Sequence, residues 1–261
     1  MAIEYTDRIS ESLRKKVASL DTPRHRRQEG LFKAEGTKCV LDTMDHFEIR
    51  FITATSKWLE TYDLPLPYDK VYVARPADME RMSHLSTPPQ VIAVYEIPDV
   101  KFDMSEAARN LVIALDGVQD PGNLGTIVRV ADWFGITDII CSGDCADIYG
   151  PKAVMATMGA LSRVRVHQCN LEDVLEEISR IAPVYGTFLD GDNIFDTTLP
   201  ANGVIVMGNE GKGISSTVAK SVTRRLKIPS YPADRPTSES LNVAMACSIT
   251  VAEFRSRCFS K

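Results

Sequence analysis

Three stretches of the chain place polar side chains able to do chemistry in glycine-rich or helix-opening settings. Asn123-Leu124-Gly125-Thr126-Ile127-Val128-Arg129 offers an amide and a guanidinium about one and two-thirds helical turns apart. Gly208-Asn209-Glu210-Gly211-Lys212-Gly213 has three glycines in six residues around a carboxylate. Such backbone can approach a ligand closely or adopt positive φ. Ser240-Leu241-Asn242-Val243 puts Asn242 in the first turn of a helical pattern, where free backbone N–H groups and an amide face outward together. The glycine loop fails the phosphate-cradle patterns: Ile214-Ser215 follows Gly213 where Lys and Ser or Thr are needed, and Glu210 would repel a pyrophosphate. A ligand that is neutral or cationic at this point suits it better. Plainer readings stand beside these: Asn123 as a helix cap with Arg129 on the surface, and Ser240 as the cap of a packed terminal helix.

Each stretch lies at a junction where a strand gives way to a helix. Beyond Glu106, strand patterns at 111–115, 138–141, 164–167, 184–189, 204–207 and 226–228 alternate with helical patterns at 124–134, 152–161, 171–181, 215–222 and 241–257. This alternation predicts a mostly parallel sheet covered by helices on both faces, with ligands beyond the carboxyl ends of its strands. Before it, a helix at 10–20, strands at 47–54, 70–74 and 90–95, and helices near 57–62 and 77–85 describe a smaller α/β unit. The proline and charges of 97–103 read as a linker, giving domains 1–105 and 106–261.

Composition sets bounds on this reading. The 261 residues are 44% hydrophobic and 25% charged, an ordinary globular balance, and no uncharged window reaches the ~20 residues of a membrane-spanning helix. No secretory signal opens the chain, so the expected compartment is the cytoplasm. The six cysteines form no Cys-x-x-Cys pair and the four histidines are dispersed, so no metal is expected. A net charge of −5 argues against indiscriminate coating of nucleic acid. Two local windows run the other way: 8–38 holds nine Lys/Arg against four Asp/Glu, and 211–233 holds five Lys/Arg and no acid. Both are candidate RNA surfaces, Arg24, Arg26 and Arg27 foremost, although solvated helix faces have the same composition.

The three stretches, in this order, resemble the signature motifs of the SpoU/TrmH family of RNA ribose 2′-O-methyltransferases, within the SPOUT class. The resemblance covers Leu111 to about Arg257. Residues 14–95, with Gln28-Glu29-Gly30-Leu31-Phe32-Lys33-Ala34-Glu35-Gly36, resemble the substrate-binding domain that many members carry. The resemblance implies a trefoil-knotted α/β catalytic domain, a homodimer, and S-adenosylmethionine held in the knotted loops at the subunit interface. It implies Arg129 as the principal catalytic residue, supported by Asn123, Glu210, Ser240 and Asn242. The cofactor would be held by Met207, Gly208, Asn209, Glu210, Gly211, Ile228, Ser240, Leu241 and Asn242. A sulfonium cofactor without phosphates agrees with a loop that carries Glu210.

The substrate implied is RNA, foremost 23S ribosomal RNA. A transfer RNA methylase or a non-catalytic RNA-binding or ribosome-assembly protein of the same fold is the alternative. Arg129 would serve either as a base or, because a guanidinium holds its proton to above ~12, as an anchor for a neighbouring phosphate. Two departures from the family pattern stand out: Met155 where many members have arginine, and a longer, proline-rich 229–240 segment.

Overall fold

The computed structural model describes residues 7–232, 238 and 240–259. The chain divides into two compact units, one formed by the chain up to Asp99 together with Asp147–Ser162, the other by Val100–Ala146 and the chain from Arg163 onward.

The first unit opens with α1 (Glu11–Ser19), capped by the Ser10 hydroxyl, and α2 (Pro23–Glu29), which Gly30 terminates at φ 64°. There follow β1 (Leu31–Glu35), α3 (Thr37–Thr43), β2 (Ile49–Ala54), α4 (Ser56–Thr61), β3 (Val71–Val73), α5 (Pro76–Met82) and β4 (Val91–Glu96). The sheet order is β1-β4-β2-β3, with β4 antiparallel to both neighbours and β2 parallel to β3. The carboxyl ends of β1, β2 and β3 therefore share one edge.

The sequence pattern gives no separate strand for β1, because a lysine sits at its centre. Lys33 is fully buried, its ammonium bonded to Asp21 (2.9 Å), Glu35 (2.7 Å) and the Met82 carbonyl (2.6 Å). A buried cation is tolerated only with such a complete set of acceptors.

The second unit begins inside the expected linker. Val100 offers its carbonyl to His167 Nδ1 at 3.1 Å and Phe102 lies against the same imidazole, so these residues are packed rather than free. Then come α6 (Glu106–Arg109), β5 (Leu111–Leu115), α7 (Pro121–Trp133) and β6 (Asp138–Cys141). The next helix, α8 (Pro151–Ala156), packs with the first unit, although its place in the sequence assigns it to the second domain. The cause is local. Arg26 is buried and reaches Asp147 Oδ2 through Nε (3.0 Å) and Nη2 (2.6 Å), and Tyr149 lies on Phe32 with ring centroids 4.9 Å apart. The helix expected over 152–161 stops at Ala156 because Met158 (φ 51°) and Gly159 (φ 88°) turn left-handed. A Cβ on Gly159 would meet Asp42 at 2.6 Å.

The chain returns through β7 (Arg165–Gln168), α9 (Leu171–Ile178), β8 (Val184–Asn193), β9 (Gly203–Met207), β10 (Arg224–Lys227) and α10 (Val243–Phe259). All six strands run parallel in the order β10-β8-β9-β5-β6-β7. Both faces are covered. Val112, Ala114, Val204 and Val206 pack under Leu171, Leu175 and Ile178 of α9. Phe254 of α10 packs edge-on against Tyr185, and Arg255 donates to the Phe134 carbonyl at the end of α7.

From β5 the chain proceeds outward through β6 and β7, then reappears on the other side through β8 and β9. The order thus reverses between β5 and β9, and the crevice beyond their carboxyl ends is where such sheets bind ligands. Among the described residues no helix is long and apolar enough to cross a membrane.

Candidate active site

The loops that leave β5, β6 and β9 are tied to one another at this reversal point. The Asp116 N–H donates to the Met207 carbonyl (2.9 Å), and its buried carboxylate accepts from the Ser215 N–H (2.7 Å). Asn209 Nδ2 donates to the Gly117 carbonyl (2.7 Å), while its Oδ1 accepts from the N–H groups of Gly211 (2.9 Å) and Lys212 (3.1 Å). Reciprocal backbone bonds between Asn209 and Gly213, at 3.0 and 2.9 Å, close the glycine loop. Gly208 lies so close beneath this loop that a Cβ there would come within 2.3 Å of Gly213 C and Ile214 N. Gly117 (φ 70°) donates to the Ser142 hydroxyl at 2.9 Å.

Cys145 lies under the same turn, accepting from the Val118 N–H at 3.3 Å. Hydrogen bonding from Cys141, with help from Ser142, draws its thiol down to about 7, against the opposing effect of burial.

Three of the five residues expected to carry catalysis meet directly. Asn123 Nδ2 donates to Glu210 Oε1 at 2.8 Å, and Asn242 Nδ2 donates to Asn123 Oδ1 at 3.0 Å. The Asn242 Oδ1 accepts from the N–H groups of Ala244 (3.0 Å) and Met245 (3.3 Å). One relay of amides thus joins the start of α10, the first turn of α7 and the glycine loop.

Two capping assignments change. Asp120, not Asn123, caps α7, its carboxylate accepting from the Asn123 N–H at 2.7 Å. Asn242, not Ser240, caps α10, which begins at Val243. The reason is the same in both places: the cap is the residue whose oxygen reaches the N–H two or three positions on. The amide of Asn123, freed from capping, is available to Glu210.

Arg129 is exposed on α7 and makes no hydrogen bond or ion pair with Asn123, Glu210 or Asn242 among the described residues. Ser240 and Leu241 are exposed ahead of α10. Met207 is buried at the end of β9. Ile228 lies just past β10, which occupies Arg224–Lys227 rather than the expected 226–228. The helix expected over 215–222 is a single 3-10 turn at Val218–Ser221. Asp116 escaped notice in the sequence, where it shows only as an acid closing a wholly apolar strand. Of the expected RNA-facing cations, Arg26 is buried and paired as described, and Arg225 is taken up by Asp190 (2.6 Å) and the Phe188 ring (3.4 Å).

A six-stranded parallel sheet with a glycine loop and an Asn-Asn-Glu relay at its reversal point describes a ligand-binding α/β domain. The comparisons identify which one. The SpoU rRNA Methylase family matches residues 110–252, more than half of the chain, and an MRM3-like substrate binding domain matches residues 14–93. The chain belongs to the SpoU/TrmH family of RNA 2′-O-methyltransferases.

The 23S rRNA (guanosine(2553)-2′-O)-methyltransferase RlmP of Bacillus subtilis is 31% identical over 176 residues, 67% of this chain and 68% of that one. The 23S rRNA (uridine(2479)-2′-O)-methyltransferase of Streptomyces viridochromogenes is 29% identical, over 76% of this chain and 71% of that one. A TrmH-family structure from Porphyromonas gingivalis superposes with a TM-score of 0.87 at 38% identity, covering 95% and 99% of the two chains. An AdoMet-bound rRNA methyltransferase from Sinorhizobium meliloti gives 0.81 at 26% identity, with 97% of each chain covered.

Proposed function

We propose that this protein methylates a ribose 2′-hydroxyl in 23S ribosomal RNA, using S-adenosylmethionine. The observation that carries the reading is the Asn242–Asn123–Glu210 relay at the β5/β9 reversal point, in a chain whose relatives include two enzymes named for this reaction.

The donor set fits the cofactor. Glu210 commits one carboxylate oxygen to Asn123, and the other is available to a cation. A Cβ at Gly213 would meet nothing within 4 Å, and one at Gly211 only Asn209 Oδ1 at 3.7 Å, so this backbone faces open space. Met207, Gly208, Asn209, Glu210, Gly211, Ile228, Ser240, Leu241 and Asn242 would hold the cofactor, Asn209 by keeping the loop in shape. When bound, S-adenosylmethionine supplies a methyl group activated by its positive sulfur.

The chain's own residues supply alignment and exclusion of water. Asn123 keeps Glu210 oriented, and Asn242 keeps Asn123 oriented. The Arg129 guanidinium anchors the phosphate beside the reacting ribose, while a water or another group takes the proton of the 2′-hydroxyl.

Residues 1–105 would form the RNA-binding domain and 106–261 the catalytic one, in a cytoplasmic enzyme. A trefoil knot at these loops belongs to the same reading and is supported by the family match alone. Trp133 on α7 and Leu241 and Met245 at the start of α10, exposed by 85%, 45% and 63%, support a homodimer built on these two packed helices.

The test is incubation with methyl-labelled cofactor and total RNA. Label in one 23S ribose is the expected result, while label confined to transfer RNA, or none in any ribosomal fraction, overturns the substrate. For Arg129, lysine substitution separates the two roles: an anchor retains measurable turnover with an unchanged pH profile, whereas a base shifts the profile to lower pH.

A further inference from the structure

We propose that a basic cleft in the first unit, at the carboxyl ends of β2 and β3, binds the phosphodiester backbone of the RNA substrate, with Arg8 and Lys57 making the phosphate contacts. The proposal rests on the RNA reading above and adds a site for it. The cleft has a volume of about 450 Å³, within the ~300–1,000 Å³ of ordinary ligand sites, and its lining includes Arg8, Arg14, Ser56, Lys57, Arg75 and Asp78.

Charge is the first argument. Four cations line the cleft against a single acid. Asp78 accepts from Arg14 Nη1 at 2.6 Å and from Arg75 Nε at 2.9 Å, so one carboxylate already serves two guanidinium groups. Arg8 and Lys57 are exposed at the cleft and form no ion pair among the described residues. Elsewhere in the same unit Lys15 pairs with Glu11, Lys16 with Glu29, Lys38 with Asp42 and Lys70 with Glu48, while Arg24, Arg27, Arg81 and Lys152, exposed and without an ion pair among the described residues, lie outside this cleft. Unpaired cations in a concave site concentrate positive potential and draw an anion to it.

Arg14 supplies a second, independent argument. Its side chain is only 19% exposed, and its Nε is buried without a hydrogen-bond partner. A buried N–H lacking an acceptor carries a desolvation cost that an incoming anionic oxygen would relieve.

The lining also indicates which part of RNA is held. Among the described residues the lining contains no aromatic ring on which a base would stack; besides the four cations and Asp78 it offers the hydroxyls of Thr55 and Ser56 and apolar side chains. This is chemistry for phosphate and sugar rather than base recognition. It resolves how a protein of net charge −5 holds RNA: the uncompensated positive charge is local.

The test compares two double neutralisations of the full-length protein, R8Q/K57Q in the cleft and K15Q/K38Q on paired helix surfaces of the same unit. Affinity for deproteinised 23S rRNA is measured from about 0.05 to 0.2 M salt, the range over which phosphate contacts show as a slope. Loss of two phosphate contacts should weaken binding by about 30-fold at about 0.1 M salt and flatten the slope by about 1.5. S-adenosylmethionine affinity and melting temperature should stay at wild-type values, and K15Q/K38Q should bind RNA nearly as the wild type does. K57E, a single exposed reversal, is the second variant and should weaken RNA binding further per site than K57Q.

Equal RNA affinity and slope in the two doubles overturns the cleft. So does unchanged RNA binding accompanied by loss of poly-glutamate binding, which would assign the cleft to an acidic protein segment. A wild-type protein that neither binds nor methylates 23S rRNA removes the substrate reading and this site together. One that methylates it while both doubles bind alike removes this site alone.

Discussion

The sites of the two units handle polar groups in opposite ways. At the carboxyl ends of β5 and β9 the functional side chains are bonded to one another, Asn242 to Asn123 to Glu210, with Asn209 and Asp116 bracing the loops beneath. At the carboxyl ends of β2 and β3 the cations outnumber their acceptors and one buried Nε has none. A site that must align a small molecule gains from side chains already held in place. A site that must capture a long polyanion gains from charge left uncompensated until the polyanion arrives. Arg129 is the exception in the second unit: exposed and without a bond to the relay, it has the character of the substrate-facing cations.

This contrast can be broken by substitution. Arg129→Ala should have the largest effect, lowering kcat by about 100- to 1,000-fold, the usual cost of removing one group aimed at the reacting centre. Calorimetry should find cofactor affinity unchanged; loss of that affinity would place Arg129 among the cofactor's contacts instead. Gly208→Ala comes next. Its Cβ would press on the Gly213 and Ile214 backbone, so the loop must shift. Cofactor affinity should fall at least ~10-fold and stability by about 1–3 kcal/mol, read by calorimetry and thermal melting.

Asn242→Ala removes both the cap of α10 and the support of Asn123. A stability loss of about 1 kcal/mol is expected from the cap alone, together with a lower kcat; that stability loss with unaltered kcat would reduce the relay to a capping device.

The smallest effect belongs to the first unit and depends on pH. The Arg75 guanidinium, hydrogen-bonded to Asp78, holds that carboxyl down to about 2 against the opposing effect of burial, with Arg14 contributing. An unfolded carboxyl titrates near ~3.9, so the stabilisation is complete above about pH 4 and disappears as pH falls toward about 2. Asp78→Asn should flatten the melting temperature's dependence on pH in that window. At neutral pH it should lower melting by about 5 °C or less, with S-adenosylmethionine affinity unaltered.

Much of the second unit was legible in the sequence because its strands are wholly buried. The uninterrupted apolar runs of β5 and β9 mark a parallel sheet, and the polar residues that follow them are then conspicuous. The first unit was harder to read. Lys33 breaks the apolar pattern of β1, and only the placement of Asp21, Glu35 and the Met82 carbonyl around it explains a buried lysine there. Cap positions also misled, since Asp120 and Asn123, or Ser240 and Asn242, are equally plausible until the backbone's turning point is known. Arg26 illustrates the limit of charge counting: its sequence neighbours Arg24 and Arg27 are exposed, and it is buried.

By itself the sequence determined the parallel α/β domain, the three loops that carry its polar residues and the family to which they belong. The domain and its loops follow from short-range pattern and spacing, and the family from the resemblance of the three motifs. Tertiary structure alone decided which of those residues touch, that α8 joins the first unit, and that Arg8, Arg14, Lys57 and Arg75 line one cleft with Asp78. Hydrogen bonds and Coulomb interactions act over a few ångströms in space. Asn123 and Asn242, 119 positions apart, are joined by a hydrogen bond that only the folded chain can make.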